Sequence, residues 1–186
     1  MASASNERIK VAICGGLRSG KDTVGDMITN TIDAEQFTFS EGIWRMIEIF
    51  FPDEYANRYT HKPRTLLQVL GQKLREVEPN IWVDYTLNQI NEISDNVVIT
   101  DMRQPNEYQA LKDTGFIIVR VNAHMSTRIE RAASAGDIFE ESNLNHETEQ
   151  HYPLFEADYE IDNNGSMDEL THQVTEIVER IFGGRC

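Results

Sequence analysis

The stretch Gly15-Gly16-Leu17-Arg18-Ser19-Gly20-Lys21-Asp22-Thr23 decides which fold this sequence predicts. An apolar run from Arg8 to Gly15 leads into the stretch and is typical of a buried strand. A helical pattern from Asp22 to Ile32 follows it. A glycine loop that connects a strand directly to a helix predicts an α/β fold, with the loop at one edge of the sheet.

The same loop has the residue types that hold phosphate. Gly15 and Gly20 are separated by four residues and Lys21 follows, which is the Walker A spacing. Glycines allow successive backbone N–H groups to close around phosphate oxygens, and the following helix adds the partial positive charge of its N-terminus. We therefore expect phosphate to bind along the whole loop, at Gly15, Gly16, Leu17, Arg18, Ser19, Gly20, Lys21, Asp22 and Thr23. The alternative is a glycine-rich turn that matches the spacing without binding a ligand.

The residue after Lys21 departs from the commonest form of this loop. Asp22 stands where a serine or threonine usually supplies a magnesium ligand, and the first hydroxyl is that of Thr23, one residue later. The sequence therefore leaves the details of metal coordination open.

Composition indicates one ordinary globular domain of 186 residues, 40% hydrophobic and 26% charged. No apolar run approaches the roughly 20 residues that span a bilayer, so we expect no membrane segment. The net charge of −14 argues against binding to a nucleic-acid polymer, because such proteins need a positive surface. A small phosphorylated substrate remains compatible, since a few arginines in one cleft are enough to bind it.

Cysteine usage and the start of the chain both favour the cytoplasm. Cys14 and Cys186 lie far apart in the sequence, so a disulfide is not expected, and we expect Cys14 to be buried. Residues 1–7 lack the basic and apolar regions of a secretion signal. The sequence leaves the oligomeric state open, and a homodimer is compatible with it.

Hydrophobic periodicity alternates between short strand-like runs and longer helical stripes. Further strands are predicted over Gln36–Ser40, Asn96–Asp101, Phe116–Val121 and Tyr159–Asp162. Helices are predicted over Glu41–Phe51, Pro105–Thr114 and Met125–Ala133, with a mostly helical stretch over 52–94. This alternation predicts a mostly parallel sheet covered on both faces. Ligands of such sheets bind beyond the carboxyl ends of the strands, which here would be at Gly15, Asp101 and Ala123.

A last helix is predicted after the turn at 163–165. Ser166 and Glu169 have the spacing of a capping box at its start. Its apolar stripe consists of Met167, Leu170, Val174, Ile177, Val178 and Ile181.

The strand Asn96–Asp101 ends in a carboxylate, which is a Walker B pattern. Asp101 can coordinate magnesium, directly or through water, next to phosphates that are bound by the loop. The alternative is an aspartate that only begins a turn. Arg103 could reach the same crevice, and Glu107 is expected to face solvent or to support Arg103.

The helix predicted over Thr65–Val77 carries a cationic stripe without an acid. At about 100° per residue, the stripe consists of Arg64, Gln68, Gly71 and Arg75. The opposite arc consists of Leu66, Leu67, Val69, Leu70, Leu74 and Val77. Two arginines, an amide and a glycine that permits close approach suit the capture of an anion, because guanidinium binds phosphate oxygens in a bidentate fork. The alternative is an exposed helix face.

Three more side chains are candidates for the site. Trp82, just beyond that helix, is either a stacking surface for a base or a packing anchor. Arg128 and Arg131 share one face of their helix, and the acidic stretch Asp137–Gln150 follows. We expect these arginines to act from a lid in phosphoryl transfer, the alternative being a surface ion-pair helix that involves Glu130. The five histidines show no spacing typical of a metal site.

Four segments together resemble the deoxynucleoside monophosphate kinases of bacteriophages and related bacterial proteins. They are GGLRSGKDT, RTLLQVLGQKLRE with PNIWVD after it, ITDMRQPNE, and HETEQ with YEIDNNGSMDEL. The resemblance extends from about Lys10 to Ile181, and the RTLLQ helix combined with TDMRQPNE is its most specific part. It implies a P-loop NTPase fold, a three-layer α/β/α domain over 1–186. Its core would be about 8–51, 95–123 and 158–182, with an acceptor-binding helical insertion at about 52–94 and a lid at about 124–150.

The resemblance also implies a reaction, the transfer of the ATP γ-phosphate to a dNMP with Mg²⁺, giving dNDP and ADP. It assigns ATP to the loop, catalytic roles to Lys21, Arg128, Arg131 and Asp101, and the metal to Asp101 and Thr23. It assigns the acceptor to Arg64, Gln68, Arg75, Trp82 and Arg103. The family uses several bases, so the preferred dNMP does not carry over. Two alternatives stay open: a kinase of another small acceptor, such as dephospho-CoA, and a regulatory module that binds ATP without turnover.

Overall fold

The structure of the protein is a computed structural model that describes residues 8–135 and 151–183. Within these residues, five strands form one sheet in the order β2-β3-β1-β4-β5. Strand β1 pairs in parallel with both β3 and β4, and β4 pairs in parallel with β5. The strands are β1 Lys10–Gly15, β2 Ala34–Phe37, β3 Asn96–Met102, β4 Ile117–Asn122 and β5 Tyr159–Asp162. The predicted α/β fold with a parallel sheet is confirmed.

Eight α-helices connect and flank these strands in the described part of the chain. They are α1 Lys21–Ile32, α2 Glu41–Phe50, α3 Pro52–Ala56, α4 Arg64–Val77, α5 Ile81–Asn91, α6 Pro105–Asp113, α7 Met125–Ser134 and α8 Met167–Gly183. A short 3₁₀ turn covers Tyr152–Leu154. None of the described helices is long and apolar enough to cross a membrane.

An apolar core lies where α1 and α8 pack against the sheet. The three middle strands contribute fully buried side chains, because central parallel strands are covered on both faces. Burial of each aliphatic side chain contributes about 1.5–3 kcal/mol. The core consists of Ile9, Val11, Ile13, Val24, Ile28, Ile32, Val98, Val119, Val121, Ile161, Leu170, Val174, Ile177, Val178 and Ile181.

Helix α8 begins as its sequence predicts. The backbone N–H and hydroxyl of Ser166 donate to Glu169 Oε2 at 2.7 and 3.1 Å, and the Glu169 N–H donates back to Ser166 Oγ at 3.3 Å. The capping box is therefore formed. The apolar stripe is correct except at its first position, since Met167 is 59% exposed.

The second strand lies earlier than predicted. Asp33 adopts a left-handed conformation (φ 50°) that ends α1, and the chain enters β2 at Ala34 rather than Gln36. Gln36 Nε2 then donates to Thr100 Oγ1 of β3 at 3.3 Å. Thr38 to Ser40, which the sequence predicts to be in this strand, lie beyond its end.

The described chain divides into two compact units. One unit contains residues 8–36 and those from 94 onward, and the other contains residues 37–93. The second unit therefore begins well before the insertion predicted at 52–94, because α2 belongs to it rather than to the core. The single-domain organisation over 1–186 stays a prediction.

Helices α2, α4 and α5 pack around Gly71 within the second unit. The indole Nε1 of Trp82 donates to the Gly71 carbonyl at 3.1 Å, and a side chain at Gly71 would come within 3.1 Å of Ile43 Cδ1. The apolar arc predicted for α4 is only partly buried, since Val69 is 50% and Val77 81% exposed. Gly71 is the buried position of α4, although the sequence placed it in the cationic stripe.

Candidate active site

The loop between β1 and α1 has the backbone of an anion-binding turn. Gly20, the N-cap of α1, has a left-handed φ of 91°, and Arg18 has a φ of 60°. Positive φ is uncommon in residues other than glycine and occurs often at functional sites. The Ser19 N–H donates to the Gly16 carbonyl at 3.1 Å and closes the turn. The loop therefore leads directly into the N-terminus of α1, where anions are stabilised.

Two side chains of the loop are buried although both are polar. Lys21 is 5% exposed and Ser19 is 1% exposed. The Ser19 hydroxyl has no hydrogen-bond partner among the described residues. A buried hydroxyl without a partner is costly, and a ligand oxygen would satisfy it. Asp22 and Thr23 are exposed on the first turn of α1, so the Thr23 hydroxyl is accessible.

Arg128 of α7 lies directly against the loop. Its Nε donates to the Leu17 carbonyl at 2.6 Å, and the side chain is 5% exposed. A Cβ at Gly16 would lie 2.5 Å from the Arg128 Cζ and 2.7 Å from both terminal nitrogens. The guanidinium therefore occupies the space beside Gly16, which brings a positive charge to the loop.

Arg131, one turn further along α7, contacts the other end of the loop. Its Nη1 donates to the Ser19 carbonyl at 3.4 Å, and its Nη2 donates to Asn163. The shared face predicted for Arg128 and Arg131 is confirmed, and that face lies against the loop rather than in a surface ion-pair row. The stretch Asp137–Gln150, predicted as the rest of the lid, lies outside the described residues.

Asn163 is a loop contact that sequence reasoning missed. It follows β5, and its Nδ2 donates to the Ser19 carbonyl at 2.8 Å. The Asn-Asn-Gly sequence at 163–165 indicated only a turn, which is correct for the backbone. The sequence does place Asn163 directly after a predicted parallel strand, at the edge of the sheet where ligands bind. That position could have indicated a residue of the site.

Asp101 and Arg103 lie at the carboxyl end of β3, next to the strand that carries the loop. Cys14 of β1 pairs with Met102, so Asp101 is one strand away from the start of the loop. The Thr100 methyl lies where a Cβ at Gly25 of α1 would be, so α1 packs closely on this end of β3.

Glu107 supports the turn at Arg103, which is one of the two roles that the sequence predicts for it. It does not face solvent, which is the other. The side chain is 3% exposed, and its Oε2 accepts the backbone N–H groups of Arg103 at 2.8 Å and Gln104 at 2.9 Å. The Glu107 carboxylate accepts from the Gln104 N–H while the Gln104 side chain accepts from the Glu107 N–H, and this pair of bonds forms the capping box of α6. It orients the turn that carries Arg103.

The oxygen donors near the loop fit magnesium better than a transition metal. Among the described residues, no cluster of three His, Cys, Asp or Glu side chains is placed to hold a metal ion. The Asp101 carboxylate and the Thr23 hydroxyl are the candidate ligands, and both are hard oxygen donors. Mg²⁺ keeps several waters and takes one or two protein oxygens plus substrate phosphates, so this small set fits it.

Cys14, next to Gly15 in β1, is not a nucleophile. It is fully buried, as expected, and this burial raises the pKa of its thiol to about 12. Arg120 acts in the opposite direction, but desolvation is the larger effect. The thiol therefore stays protonated at neutral pH.

The cationic stripe of α4 lies in the second unit, residues 37–93. Arg64 and Gln68 are exposed and Arg75 is half-buried. On the adjoining surface, Lys73 pairs with Glu76 at 2.8 Å, which is an ordinary solvated ion pair. The two arginines lie on the Gly71 side of the helix, but Gly71 itself is buried against Ile43 and Trp82, so it does not offer the close approach for a ligand that the sequence predicts.

Trp82 is a packing anchor, which is the second of its two predicted alternatives. It is 4% exposed, its N–H is bound by Gly71, and its ring lies where a side chain at Gly42 would be. An indole buried to this degree has no exposed ring face for a base. The assignment of Trp82 to acceptor binding is therefore wrong for this conformation.

Solved structures of small-molecule kinases share this fold. Shikimate kinase from Acinetobacter baumannii, in complex with shikimate, matches with a TM-score of 0.60 at 17% identity, covering 98% of both chains. A gluconokinase from Sinorhizobium meliloti 1021 matches with a TM-score of 0.63 at 14% identity, covering 96% of this chain and 98% of that one. Deoxyadenosine kinase from M. mycoides, with the products dCMP and dCDP bound, matches with a TM-score of 0.53 at 14% identity, covering 94% of this chain and 100% of that one. At these identities the likeness shows the P-loop kinase fold alone.

The comparison with protein families identifies the family, which the fold alone does not. A comparison with curated proteins gave no match. The family described as deoxynucleotide monophosphate kinase matches residues 54–174, which is more than half of the chain. This match begins after the loop at 15–23, so the loop and the family match are separate observations. Together they show a nucleotide or nucleoside kinase, and the chain belongs to the deoxynucleotide monophosphate kinase family.

Proposed function

We propose that the protein transfers the γ-phosphoryl group of ATP to a deoxynucleoside monophosphate, giving the diphosphate and ADP. The observation that carries this proposal is the position of Arg128 and Arg131, both of which donate hydrogen bonds to carbonyls of the phosphate loop. A loop that only binds a nucleotide does not need two arginines beside it, whereas phosphoryl transfer needs charge neutralisation around the moving group.

The loop and its arginines form the proposed donor site. Backbone N–H groups of the loop and the N-terminus of α1 bind the ATP phosphates, with the buried Ser19 hydroxyl as a further donor. Lys21 bonds the β- and γ-phosphates as a point charge. Arg128 and Arg131 neutralise the charge that develops on the transferring group. Asp101 and Thr23 would hold the metal, which would offset the negative charge of the phosphates.

Three side chains of α4 form the proposed acceptor site. Arg64, Gln68 and Arg75 of α4 bind the phosphate of the dNMP, because guanidinium and amide groups donate to phosphate oxygens. Arg103, whose turn Glu107 holds in the other unit, stays a sequence-based candidate for acceptor binding. Trp82 is left out of this site because it is buried.

The chemistry requires little beyond positioning and charge. An oxygen of the acceptor phosphate attacks the γ-phosphorus in line with the leaving oxygen of ADP. This oxygen is already anionic at neutral pH, so no general base is needed. The arginines and Lys21 lower the repulsion between the two phosphates, which is the main barrier to their approach.

A panel of acceptors tests the proposal. The purified protein is incubated with ATP and Mg²⁺ and with each of the four common dNMPs, dephospho-CoA, shikimate or gluconate, and the products are separated by chromatography. We expect dNDP and ADP from at least one dNMP. Product from a non-nucleotide acceptor and none from any dNMP would assign the other kinase class. ATP binding without turnover would assign a regulatory module.

Two lysine variants show whether the loop carries the activity. Lys21→Ala is expected to lower kcat/KM by about 100-fold or more, as loss of one transition-state contact does. Lys112→Ala is the matched control, because the Lys112 amine pairs with Asp158 and not with a loop residue. We expect the control to keep the activity of the unmodified protein.

A further inference from the structure

Asn163 connects the phosphate loop, helix α7 and the end of β5. It directly follows Asp162, and only 6% of it is exposed. Its Nδ2 donates to the Ser19 carbonyl at 2.8 Å. Its Oδ1 and its backbone carbonyl accept from Arg131 Nη2 at 3.3 and 3.0 Å. One amide thus contacts both the loop and an arginine of the proposed donor site.

The contacts determine the orientation of this amide. The Ser19 carbonyl accepts only, and the Arg131 guanidinium donates only. The flipped amide would bring its oxygen against the carbonyl and its NH₂ group against the guanidinium, so both contacts would be repulsive. The orientation found here is therefore the one that the surroundings require, and it needs both a donor and an acceptor on the same short side chain.

These contacts act on the residues that precede Lys21. The Ser19 carbonyl accepts from both Asn163 and Arg131. A Cβ at Gly20 would clash with Asn163 Nδ2, so the amide packs directly on the left-handed residue that begins α1. The path of the chain from Ser19 into α1 is therefore held by a side chain 144 residues further along the sequence.

We propose that Asn163 is a positioning residue of the donor site, which sets the loop and Arg131 in one common arrangement for ATP. This inference rests on the proposed function, since it concerns the same phosphate loop. Asn163 itself touches protein groups and acts through Ser19 and Arg131. Its loss changes ATP binding first, because the loop N–H groups lose their preorganised geometry.

An isosteric substitution tests the role with little change in packing. Asn163→Asp keeps the acceptor for Arg131 but replaces the Nδ2 donor with an anionic oxygen that faces the Ser19 carbonyl. Asn163→Ala, which removes both contacts, is the second variant. Gln173→Ala is the matched control, because the Gln173 amide bonds the backbone of Asp162 at the same strand end and no loop residue.

The readouts are the Kd for ATP by calorimetry without acceptor, the separate KM values for ATP and the acceptor, and the Tm. We expect both Asn163 variants to bind ATP about 10-fold more weakly, with the acceptor KM within about twofold of the unmodified protein. The Gln173→Ala variant is expected to keep its ATP affinity.

Two outcomes would overturn the inference in different ways. If the unmodified protein binds ATP and either Asn163 variant binds it equally well while folded, the positioning role is wrong and the proposed function stands. If the unmodified protein does not bind ATP, the proposed function fails and the inference fails with it. An equal loss of ATP affinity in Gln173→Ala would show a general effect of the strand end, which also rejects the role.

Discussion

The guanidinium of Arg128 fills the space that a side chain at Gly16 would need. All three of its outer atoms, Cζ, Nη1 and Nη2, lie within 2.7 Å of the position of a Cβ at Gly16. The Arg128 Nε also donates to the next carbonyl, that of Leu17, at 2.6 Å. Glycine at position 16 and arginine at position 128 are therefore coupled, although the two residues lie on different elements.

This coupling predicts non-additive effects. Gly16→Ala displaces the end of a flexible side chain, so we expect a modest loss of folding stability, about 1–2 kcal/mol. We expect a larger effect on catalysis, about 10-fold or more in kcat, because Arg128 leaves its place at the loop. Kinetics of Gly16→Ala, Arg128→Ala and the double variant would measure the coupling. Additive effects in this cycle would contradict it.

Arg75 is predicted to act on the acceptor. Arg75→Ala is expected to raise the KM for the dNMP by about 10-fold with little change in the KM for ATP, since one charge-assisted contact to phosphate is lost. Lys73→Ala is the control on the same helix, because Lys73 forms a solvated pair with Glu76. Steady-state kinetics with each substrate varied would check this. An unchanged acceptor KM in Arg75→Ala would remove Arg75 from the site.

Glu107 is predicted to matter for both stability and the acceptor. Glu107→Ala leaves the backbone N–H groups of Arg103 and Gln104 without their buried acceptor, at a cost of about 1–3 kcal/mol in the free energy of unfolding. Glu107→Gln keeps an oxygen acceptor and should lose less. Urea unfolding measures the stability, and the acceptor KM reports the position of Arg103. If the glutamine variant is as unstable as the alanine variant, the two hydrogen bonds are not the cause.

The thiol of Cys14 is predicted to be inert in the folded protein. Its pKa of about 12, raised by burial, leaves almost no thiolate at neutral pH. In a Cys186→Ser background, a thiol reagent should label the protein only after unfolding, and ATP turnover should survive the reagent. Rapid labelling under native conditions would show that β1 opens next to the loop.

Glu169 predicts a small pH dependence of stability. Hydrogen bonds from the Ser166 backbone and then from its hydroxyl lower the pKa of this carboxyl below its usual value of 4.5. A lowered pKa in the folded state gives stability that is present above pH 4.5 and is lost as the pH falls through the folded-state pKa. Glu169→Gln should therefore lower the Tm slightly at pH 7, and the difference should shrink below pH 4.5. A constant difference across this range would reject the carboxylate as its source.

The sequence by itself determined the elements whose causes are local. Strand periodicity, the glycine spacing of the loop and the Ser166–Glu169 capping box act over a few residues. All five predicted strands and the capping box appear in the structure, with β2 shifted from its predicted bounds. The shared face of Arg128 and Arg131 follows from their three-residue spacing on one helix. The start of β2 was the local error, because the left-handed Asp33 ends α1 and the chain enters β2 at Ala34, two residues before the predicted start.

Only the tertiary structure determined which of these elements contact one another. The contacts of Arg128 and Asn163 with the loop join residues 111 and 144 positions apart, and they depend on the strand order β2-β3-β1-β4-β5, which no local pattern contains. The burial of Trp82 and Glu107 was decided in the same way, since burial depends on what packs around a side chain. Local periodicity predicts the face that a residue occupies, and only the assembled fold determines what that face contacts.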